Sequence, residues 1–202
     1  MALGYGELGG LMSGRLLYLH GFLSAPASKK AQYTAARMHA LGFGNAFVCP
    51  QLPVSPKAAI ALCESLLVPN TTVVGSSLGG FYATWLCEKH PELVRGAVLV
   101  NPAVIAWISL AQHIGPQKNL YSGEIFDFTQ AHVDEMHALD VPQLNRIDAY
   151  WLLAEEGDEV LDYRRAIEKY KGAKQTVLPG GNHTFSRWNE YNDKVIAFAA
   201  LT

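Results

Sequence analysis

Six short apolar runs alternate along the chain with longer stretches of helical period. Most of the runs are apolar without interruption, which is typical of strands covered on both faces. The alternation predicts an α/β fold, a three-layer α/β/α sandwich with a mostly parallel sheet of about six strands and crossover helices. The predicted strands are 16–19, 46–49, 71–75, 96–101, 149–154 and 175–178, and the predicted helices are 29–41, 56–68, 79–90, 159–171 and 187–201.

Chain length and net charge limit the number of domains and the kinds of partner. The chain has 202 residues, and we assign residues 15–202 to a single domain. It has 16 Lys and Arg against 18 Asp and Glu, a net charge of −2, and no dense basic run. We therefore expect neither nucleic acid nor a membrane surface as a partner. The longest apolar stretch, 96–111, is shorter than the roughly 20 residues that a membrane-spanning helix needs.

The cysteines and the first residues bear on location. Cys49, Cys63 and Cys87 are isolated and form no Cys-x-x-Cys pair, which argues against a disulfide framework or a structural zinc site and favours the cytoplasm. Residues 1–14 contain five glycines and lack the basic start of a secretory signal. We interpret them as a flexible leader or a cloning remnant. Residues 102–145, with only partial helical periodicity, are predicted to be a small cap-like insertion that forms the acyl-side wall of a site.

The sharpest local pattern is Gly75-Ser76-Ser77-Leu78-Gly79, between a predicted strand and a predicted helix. A nucleophilic serine at such a turn needs small residues two positions before and after it, because its backbone is strained. Gly-x-Ser-x-Gly also occurs by chance in a glycine-rich chain, but the strand and helix around it favour a nucleophile elbow. No Gly-Lys-Ser/Thr follows, so a phosphate-binding loop is not indicated.

A serine nucleophile needs a base and an acid downstream, in the order Ser, acid, His. His183 is the predicted base, because it lies in a glycine-rich loop just after the last strand. Asp158 is the predicted acid, since it follows the strand 149–154 and precedes His183 by 25 residues. Asp162 is the alternative acid, and either aspartate could instead be a helix-start carboxylate. Glu155 and Glu156 are weaker choices, because they lie too close to the strand to reach His183.

An oxyanion hole requires two backbone N–H donors. Leu78, directly after the serine, supplies one. The loop after the first strand, His20-Gly21-Phe22, supplies the other, and Phe22 is preferred over Leu23. His20 is expected to support this loop through its side chain. His132 and His137 suggest a metal site, but their spacing of five does not place both rings on one helical face, so we predict no metal and no cofactor.

Several segments together resemble the α/β-hydrolase superfamily, and more closely the YqiA-like family of small bacterial esterases. The matching segments are 16–22, 50–53, 75–86 (GSSLGGFYATWL), 101–104, 157–164 (GDEVLDYR) and 180–185 (GGNHTF). The resemblance implies a reduced α/β-hydrolase sheet and a catalytic triad of Ser77, Asp158 and His183. The chain departs from the family's pattern after His-Gly-Phe, where Leu23-Ser24-Ala25 replaces an expected Asn and Ser.

These residues predict a serine esterase that hydrolyses carboxylic esters or acyl thioesters through an acyl-enzyme. The expected partner is therefore a small acyl ester or thioester. Epoxide and haloalkane hydrolysis require a carboxylate at the elbow. This chain has a serine there, which disfavours both reactions. The alternative function is a non-catalytic ligand-binding protein on the same fold. The acyl chain length, and the choice between ester and thioester, stay open.

Overall fold

The structure is a computed structural model that describes residues 14–201. Apart from Gly14, the predicted leader lies outside the described residues. The strands of the main sheet are β1 (Arg15–Leu19), β2 (Phe47–Val48), β3 (Thr71–Ser76), β4 (Val94–Val100), β7 (Tyr150–Glu155) and β8 (Lys174–Leu178). They are all parallel and are arranged in the order β2-β1-β3-β4-β7-β8. This arrangement confirms the predicted fold class.

Helices cover both faces of this sheet. Within the described range they are α1 (Lys29–Ala40), α2 (Pro56–Ser65), α3 (Leu78–Lys89), α4 (Ala106–Ala111), α5 (Gln130–Ala138), α6 (Tyr163–Lys169) and α7 (Trp188–Phe198). Successive side chains of a strand point to opposite faces, so β1 divides its residues between two cores. Leu17 and Leu19 pack with α2 and α3, whereas Leu16 and Tyr18 pack with α1 and α7. Double coverage explains why the strands are apolar without alternation.

The predicted elements differ from the observed bounds by one to four residues, and two of these differences have a clear local cause. The helix predicted over 159–171 begins only at Tyr163, because the Asp158 carboxylate holds the preceding residues in a turn and Asp162 caps the helix by accepting from the Arg164 N–H. The strand predicted over 46–49 is limited to β2. A 3₁₀-helix, Gly44–Ala46, occupies the residues before it, and Pro50 after it has no N–H to donate.

Residues 102–145 form α4, α5 and between them an antiparallel hairpin of β5 (Gly115–Lys118) and β6 (Ile125–Phe128). The hairpin was not predicted. Part of the segment belongs to the core, since Phe128, Val133 and Met136 are buried. The hairpin tip instead extends towards the carboxyl edge of the sheet, where it contacts the loop after β1. No helix in the described part of the chain is long and apolar enough to cross a membrane.

Candidate active site

Ser77 lies at the turn between β3 and α3, where its backbone has φ 54° and ψ −118°. This conformation is unfavourable for a residue with a side chain, and such strain is commonly found at functional sites. A Cβ on Gly75 would lie 2.2 Å from the Gly79 carbonyl oxygen, and one on Gly79 would lie 2.0 Å from the Leu19 carbonyl oxygen. Both positions therefore require glycine. The sequence pattern around Ser77 reflects this steric need.

The structure brings together the three residues predicted as a triad. His183 Nε2 lies 3.0 Å from Ser77 Oγ, and His183 Nδ1 lies 2.9 Å from each carboxylate oxygen of Asp158. These residues are separated by 106 and 25 positions in the chain, so the contacts depend on the fold and not on local structure. The line from carboxylate to imidazole to hydroxyl is the geometry that activates a serine nucleophile.

Asp158 is held in place by its own turn. Its Oδ1 accepts hydrogen bonds from the N–H groups of Val160 and Leu161, at 2.9 and 2.8 Å, and its side chain is only 1% exposed. The alternative acid, Asp162, is not near His183 and pairs with exposed Arg164. Glu156 is exposed. Of the acidic residues considered from the sequence, Asp158 is the one whose carboxylate contacts the His183 ring.

Glu155 has a role that the sequence analysis missed. Its side chain is buried at the end of β7, and its carboxylate accepts hydrogen bonds from the backbone N–H groups of Asn182, Ser186 and Arg187, at 2.8 to 3.2 Å. The Ser186 hydroxyl donates a further bond. Glu155 thus binds the residues on both sides of His183 without touching its ring. It is a positioning residue for the loop that carries the imidazole.

Asn101 anchors the same loop from the neighbouring strand. It follows β4, is 3% exposed, and donates from Nδ2 to the carbonyl oxygens of Asn182 and His183 at 3.0 and 3.1 Å. Its Oδ1 accepts from the Glu155 N–H at 2.9 Å. Because buried amides and carboxylates are costly unless their hydrogen bonds are made, Asn101 and Glu155 fix the loop in one conformation.

We expect Glu155→Gln to destabilise the fold by about 3 kcal/mol, because the amide replaces one acceptor oxygen with a donor that would face backbone N–H groups. Burial by itself would raise the pKa of Glu155, but the hydrogen bonds from Asn182, Ser186 and Arg187 outweigh it and hold the pKa below the ordinary 4.5. The unfolded chain then binds the proton more readily. The stabilisation from Glu155 is therefore complete above about pH 4.5 and is lost as pH falls through the lower folded pKa.

Urea unfolding of the wild type and of Glu155→Gln between pH 3 and pH 7 measures the contribution of Glu155 to stability. The difference in the free energy of unfolding between wild type and Glu155→Gln should shrink on acidification. Glu156→Gln, at the exposed neighbouring position, is the matched control and should change stability by less than about 0.5 kcal/mol. Equal stabilities of the two variants at pH 7 would contradict the anchoring role of Glu155.

The predicted oxyanion loop lies against the nucleophile. A Cβ on Gly21 would lie 3.1 Å from the Ser77 Cβ and 3.6 Å from its Oγ, which places the Gly21-Phe22 backbone beside the hydroxyl. Phe22 and Leu78 both line a cavity of about 230 Å³ at this point. Within residues 14–201, neither of their N–H groups donates to another backbone carbonyl. Both donors are thus available to a ligand.

His20 supports this loop, as predicted. It is 4% exposed, its Nδ1 lies 2.9 Å from the Gly21 carbonyl oxygen, and the Leu52 N–H donates to its Nε2 at 3.2 Å. Burial lowers the pKa of His20 below its usual value, although the hydrogen bond to Gly21 opposes the shift. The neutral ring with its proton on Nδ1 satisfies both contacts. His20 is therefore a structural part of the loop and not the base.

Asn119, in the hairpin tip, is a second support that the sequence analysis missed. It is 8% exposed and donates from Nδ2 to the Ser24 carbonyl oxygen at 3.0 Å, while its Oδ1 accepts from the Tyr121 and Ser122 N–H groups. The next N–H in the chain, that of Leu120, donates to the carbonyl oxygen of Leu23, whose φ is 56°. The tip thus holds the unusual backbone immediately after Phe22.

The histidines considered for a metal site have other contacts. His132 accepts from the Thr129 N–H at 3.1 Å and belongs to the cap of α5, and His137 packs against Trp107. Across the described range, no group of three or more His, Cys, Asp or Glu side chains is arranged to hold a metal ion.

Comparison with solved structures places this fold among known ones. A protein from Agrobacterium vitis S4 matches with a TM-score of 0.71 and 18% identity over 93% of this chain and 88% of that chain. Alpha/beta hydrolase domain-containing protein 10 from mouse matches with a TM-score of 0.71, 14% identity and coverages of 93% and 89%. Est1E from Butyrivibrio proteoclasticus matches with a TM-score of 0.67, 14% identity and coverages of 93% and 87%.

The parallel sheet, the serine turn after β3 and these neighbours define an α/β-hydrolase fold. The predicted α/β-hydrolase fold is confirmed. The chain belongs to the uncharacterised protein family UPF0227, whose sequence model matches residues 15–200.

Proposed function

We propose that this protein is a serine hydrolase that cleaves carboxylic esters or acyl thioesters through Ser77, His183 and Asp158. The observation that carries the proposal is the continuous contact from the Asp158 carboxylate through the imidazole to Ser77 Oγ, at 2.9 and 3.0 Å. The strained backbone of Ser77 is a second support. Two proteins of similar fold are named a pyrethroid hydrolase and an esterase domain, which agrees with this reaction class.

The reaction begins when Ser77 Oγ attacks the acyl carbon and gives its proton to His183 Nε2. The carbonyl π electrons move to the oxygen, which accepts hydrogen bonds from the Phe22 and Leu78 N–H groups. The imidazolium, stabilised by Asp158, then donates its proton to the leaving oxygen or sulfur as that bond breaks. Water attacks the acyl-enzyme with His183 again as base, and the acid and free Ser77 result.

The acyl group fits best in the cavity of about 230 Å³ next to the oxyanion donors. Its apolar walls come from Leu52 and Val54 after β2, from Tyr82 on α3 and from Phe126 on β6. The hairpin formed by β5 and β6 would then contribute to the acyl side of the site. Each methylene of the acyl chain buried there would add up to about 0.8 kcal/mol of binding. The size of the cavity favours short acyl chains.

Labelling with a fluorophosphonate, followed by mass spectrometry, tests the proposal directly. One phosphonyl group per chain, attached to Ser77, together with turnover of 4-nitrophenyl butyrate, is the expected result. The binding-protein alternative predicts no labelling and no turnover. The same assay on the Ser77→Ala variant identifies any activity from a contaminating esterase.

We expect Asn119→Ala to reduce kcat roughly 10- to 100-fold with little change in KM, because the oxyanion donor at Phe22 loses its support and acts mainly in the transition state. A trifluoromethyl ketone forms a tetrahedral adduct with the serine, so its inhibition constant should rise by a similar factor. A loss of folded structure alone would not produce matched changes in these two quantities.

Ser122→Ala is the control in the same hairpin turn, since among the described residues its exposed hydroxyl contacts only the Glu124 N–H. Its kcat and its inhibition constant should stay within about twofold of wild type. If Asn119→Ala raises KM alone, or leaves inhibitor binding unchanged, the supporting role of Asn119 is wrong.

A further inference from the structure

A second and larger cavity, of about 650 Å³, opens beside Ser77 on the side of His183. The start of α1 forms one wall, the hairpin tip forms another, and Tyr18 and Trp188 line the interior. The Gly21-Phe22 loop borders both this cavity and the smaller one. The site thus has two chambers separated by the loop after β1, and Ser77 lines the larger one.

Because the proposed function places the acyl group in the smaller cavity, the larger chamber is left for the leaving group, and this inference rests on that proposed function. His183 Nε2 must donate its proton to the leaving atom, so the leaving group has to lie on the imidazole side. His183 and Thr184 line the larger chamber but not the smaller one. The oxyanion donor Leu78 lines only the smaller one.

The described residues that line the larger chamber include two lysines and no Asp or Glu. The lysines are Lys29 and Lys30, the first two residues of α1. Lys30 Nζ donates to the carbonyl oxygen of Thr184 at 2.6 Å, next to the imidazole, and no described carboxylate lies within 4 Å of it. Burial lowers the pKa of Lys30 to about 8, and the charge of Glu155 partly opposes this shift. Most of the Lys30 amine is therefore protonated at neutral pH.

An independent observation at the same cavity also points to a ligand. Tyr18 lines the chamber and is 1% exposed, and its hydroxyl has no partner with hydrogen-bond geometry among the described residues, since the neighbouring Ser76 hydroxyl does not meet it. Burial raises the pKa of Tyr18 above its ordinary value, so the group is a neutral O–H donor at working pH. Buried donors are rarely left unpaired in native proteins. An acceptor oxygen bound in this chamber would satisfy it.

We propose that the larger chamber binds the leaving group of the substrate and selects leaving groups that carry a carboxylate. The cations of Lys30 and Lys29 and the N–H groups at the start of α1, which no side chain caps, attract the carboxylate. Tyr18 donates to a carboxylate oxygen. The substrate class is then an ester or thioester whose alcohol or thiol part is a small organic acid.

Two pairs of esters test the selection: 4-acetoxybenzoate against 4-acetoxybenzamide, and the corresponding 3-substituted pair. Each pair differs in charge at nearly constant shape, and alkaline hydrolysis without enzyme corrects for intrinsic reactivity. In at least one pair the carboxylate should have a kcat/KM roughly 10- to 100-fold higher, the range expected for charge-assisted hydrogen bonds. Lys30→Met should reduce the corrected ratio about tenfold, Lys30→Arg should retain it, and 1 M NaCl should lower it.

Lys57→Met is the matched control, because Lys57 is also the second residue of its helix, α2, but does not line the chamber. It should leave the ratio unchanged. Equal kcat/KM values within both pairs in the wild type would overturn the proposal while leaving the hydrolase function intact. A ratio unaffected by Lys30→Met would also overturn it.

Direct binding separates the proposal from turnover. In Ser77→Ala, calorimetry should show tighter binding of 4-hydroxybenzoate, or of the 3-isomer, than of the matching hydroxybenzamide by about tenfold. This measurement needs no catalysis, so it decides the selection even if fluorophosphonate labelling fails and the proposed function is wrong. Equal affinities for acid and amide in both isomers would overturn the selection.

Discussion

Ser77→Ala should abolish esterase activity, with kcat falling on the order of 10⁴-fold or more, because within residues 14–201 no other hydroxyl or thiol contacts His183 Nε2. The substitution keeps the Cβ and removes only the hydroxyl, so the turn with φ 54° experiences the same strain and the fold is retained. Hydrolysis of 4-nitrophenyl butyrate measures the loss. Thermal unfolding of the variant, within a few degrees of wild type, verifies that the fold is intact.

Ser76→Ala is the internal control for this result. Ser76 is the neighbouring serine, the last residue of β3, and it is buried with only 7% of its surface exposed. Its hydroxyl makes no contact with His183 in the described structure. The variant should keep kcat within about threefold of wild type. An inactive Ser76→Ala beside an active Ser77→Ala would show that the elbow is assigned to the wrong residue.

The strained turn at Ser77 was predictable because its steric requirements are local. Steric limits at a strand-turn-helix junction act on residues two apart, so they leave a readable pattern in Gly75 and Gly79. The chain order of a triad restricted the search for His183 and Asp158 in a similar way. Buried parallel strands were predictable for a related reason, because coverage on both faces produces continuous apolar runs.

The supports of the site were not predictable, because they depend on contacts between distant segments. Glu155 was considered only as an acid, yet its carboxylate binds backbone groups that lie 27 to 32 positions later. Asn119 contacts the Ser24 carbonyl across 95 positions. An isolated asparagine or glutamate carries no pattern that reveals such a partner.

The hairpin formed by β5 and β6 was not predicted because of its amino-acid composition. β5 reads Gly-Pro-Gln-Lys and has no apolar alternation, since its residues are half-buried or exposed. β6 alternates only over Ile125–Phe128. Two strands of four residues are stabilised by packing on the rest of the fold and not by their own propensity. Such strands leave only a weak alternation of apolar and polar residues in the sequence.

Asp158→Asn should reduce kcat by a factor of about 10² to 10⁴ with the fold intact. The Val160 and Leu161 N–H groups already donate to Oδ1, so the asparagine will keep its carbonyl oxygen there and direct its NH₂ group towards His183 Nδ1. An NH₂ donor at Nδ1 forces the imidazole proton onto Nε2. That nitrogen then cannot accept the proton of Ser77, and the imidazolium also loses its counter-charge. Steady-state kinetics and the rate of fluorophosphonate labelling should fall together.

The comparison with Asp162→Asn makes this result specific. Asp162 caps α6 through the Arg164 N–H, and asparagine caps a helix about as well as aspartate. The change also removes a pairing with Arg164, whose side chain is mostly exposed, and exposed ion pairs contribute little to stability. Asp162→Asn should therefore keep kcat within about twofold of wild type. A larger loss in Asp162→Asn than in Asp158→Asn would assign the acid to Asp162 and leave Asp158 as the residue that only shapes its turn.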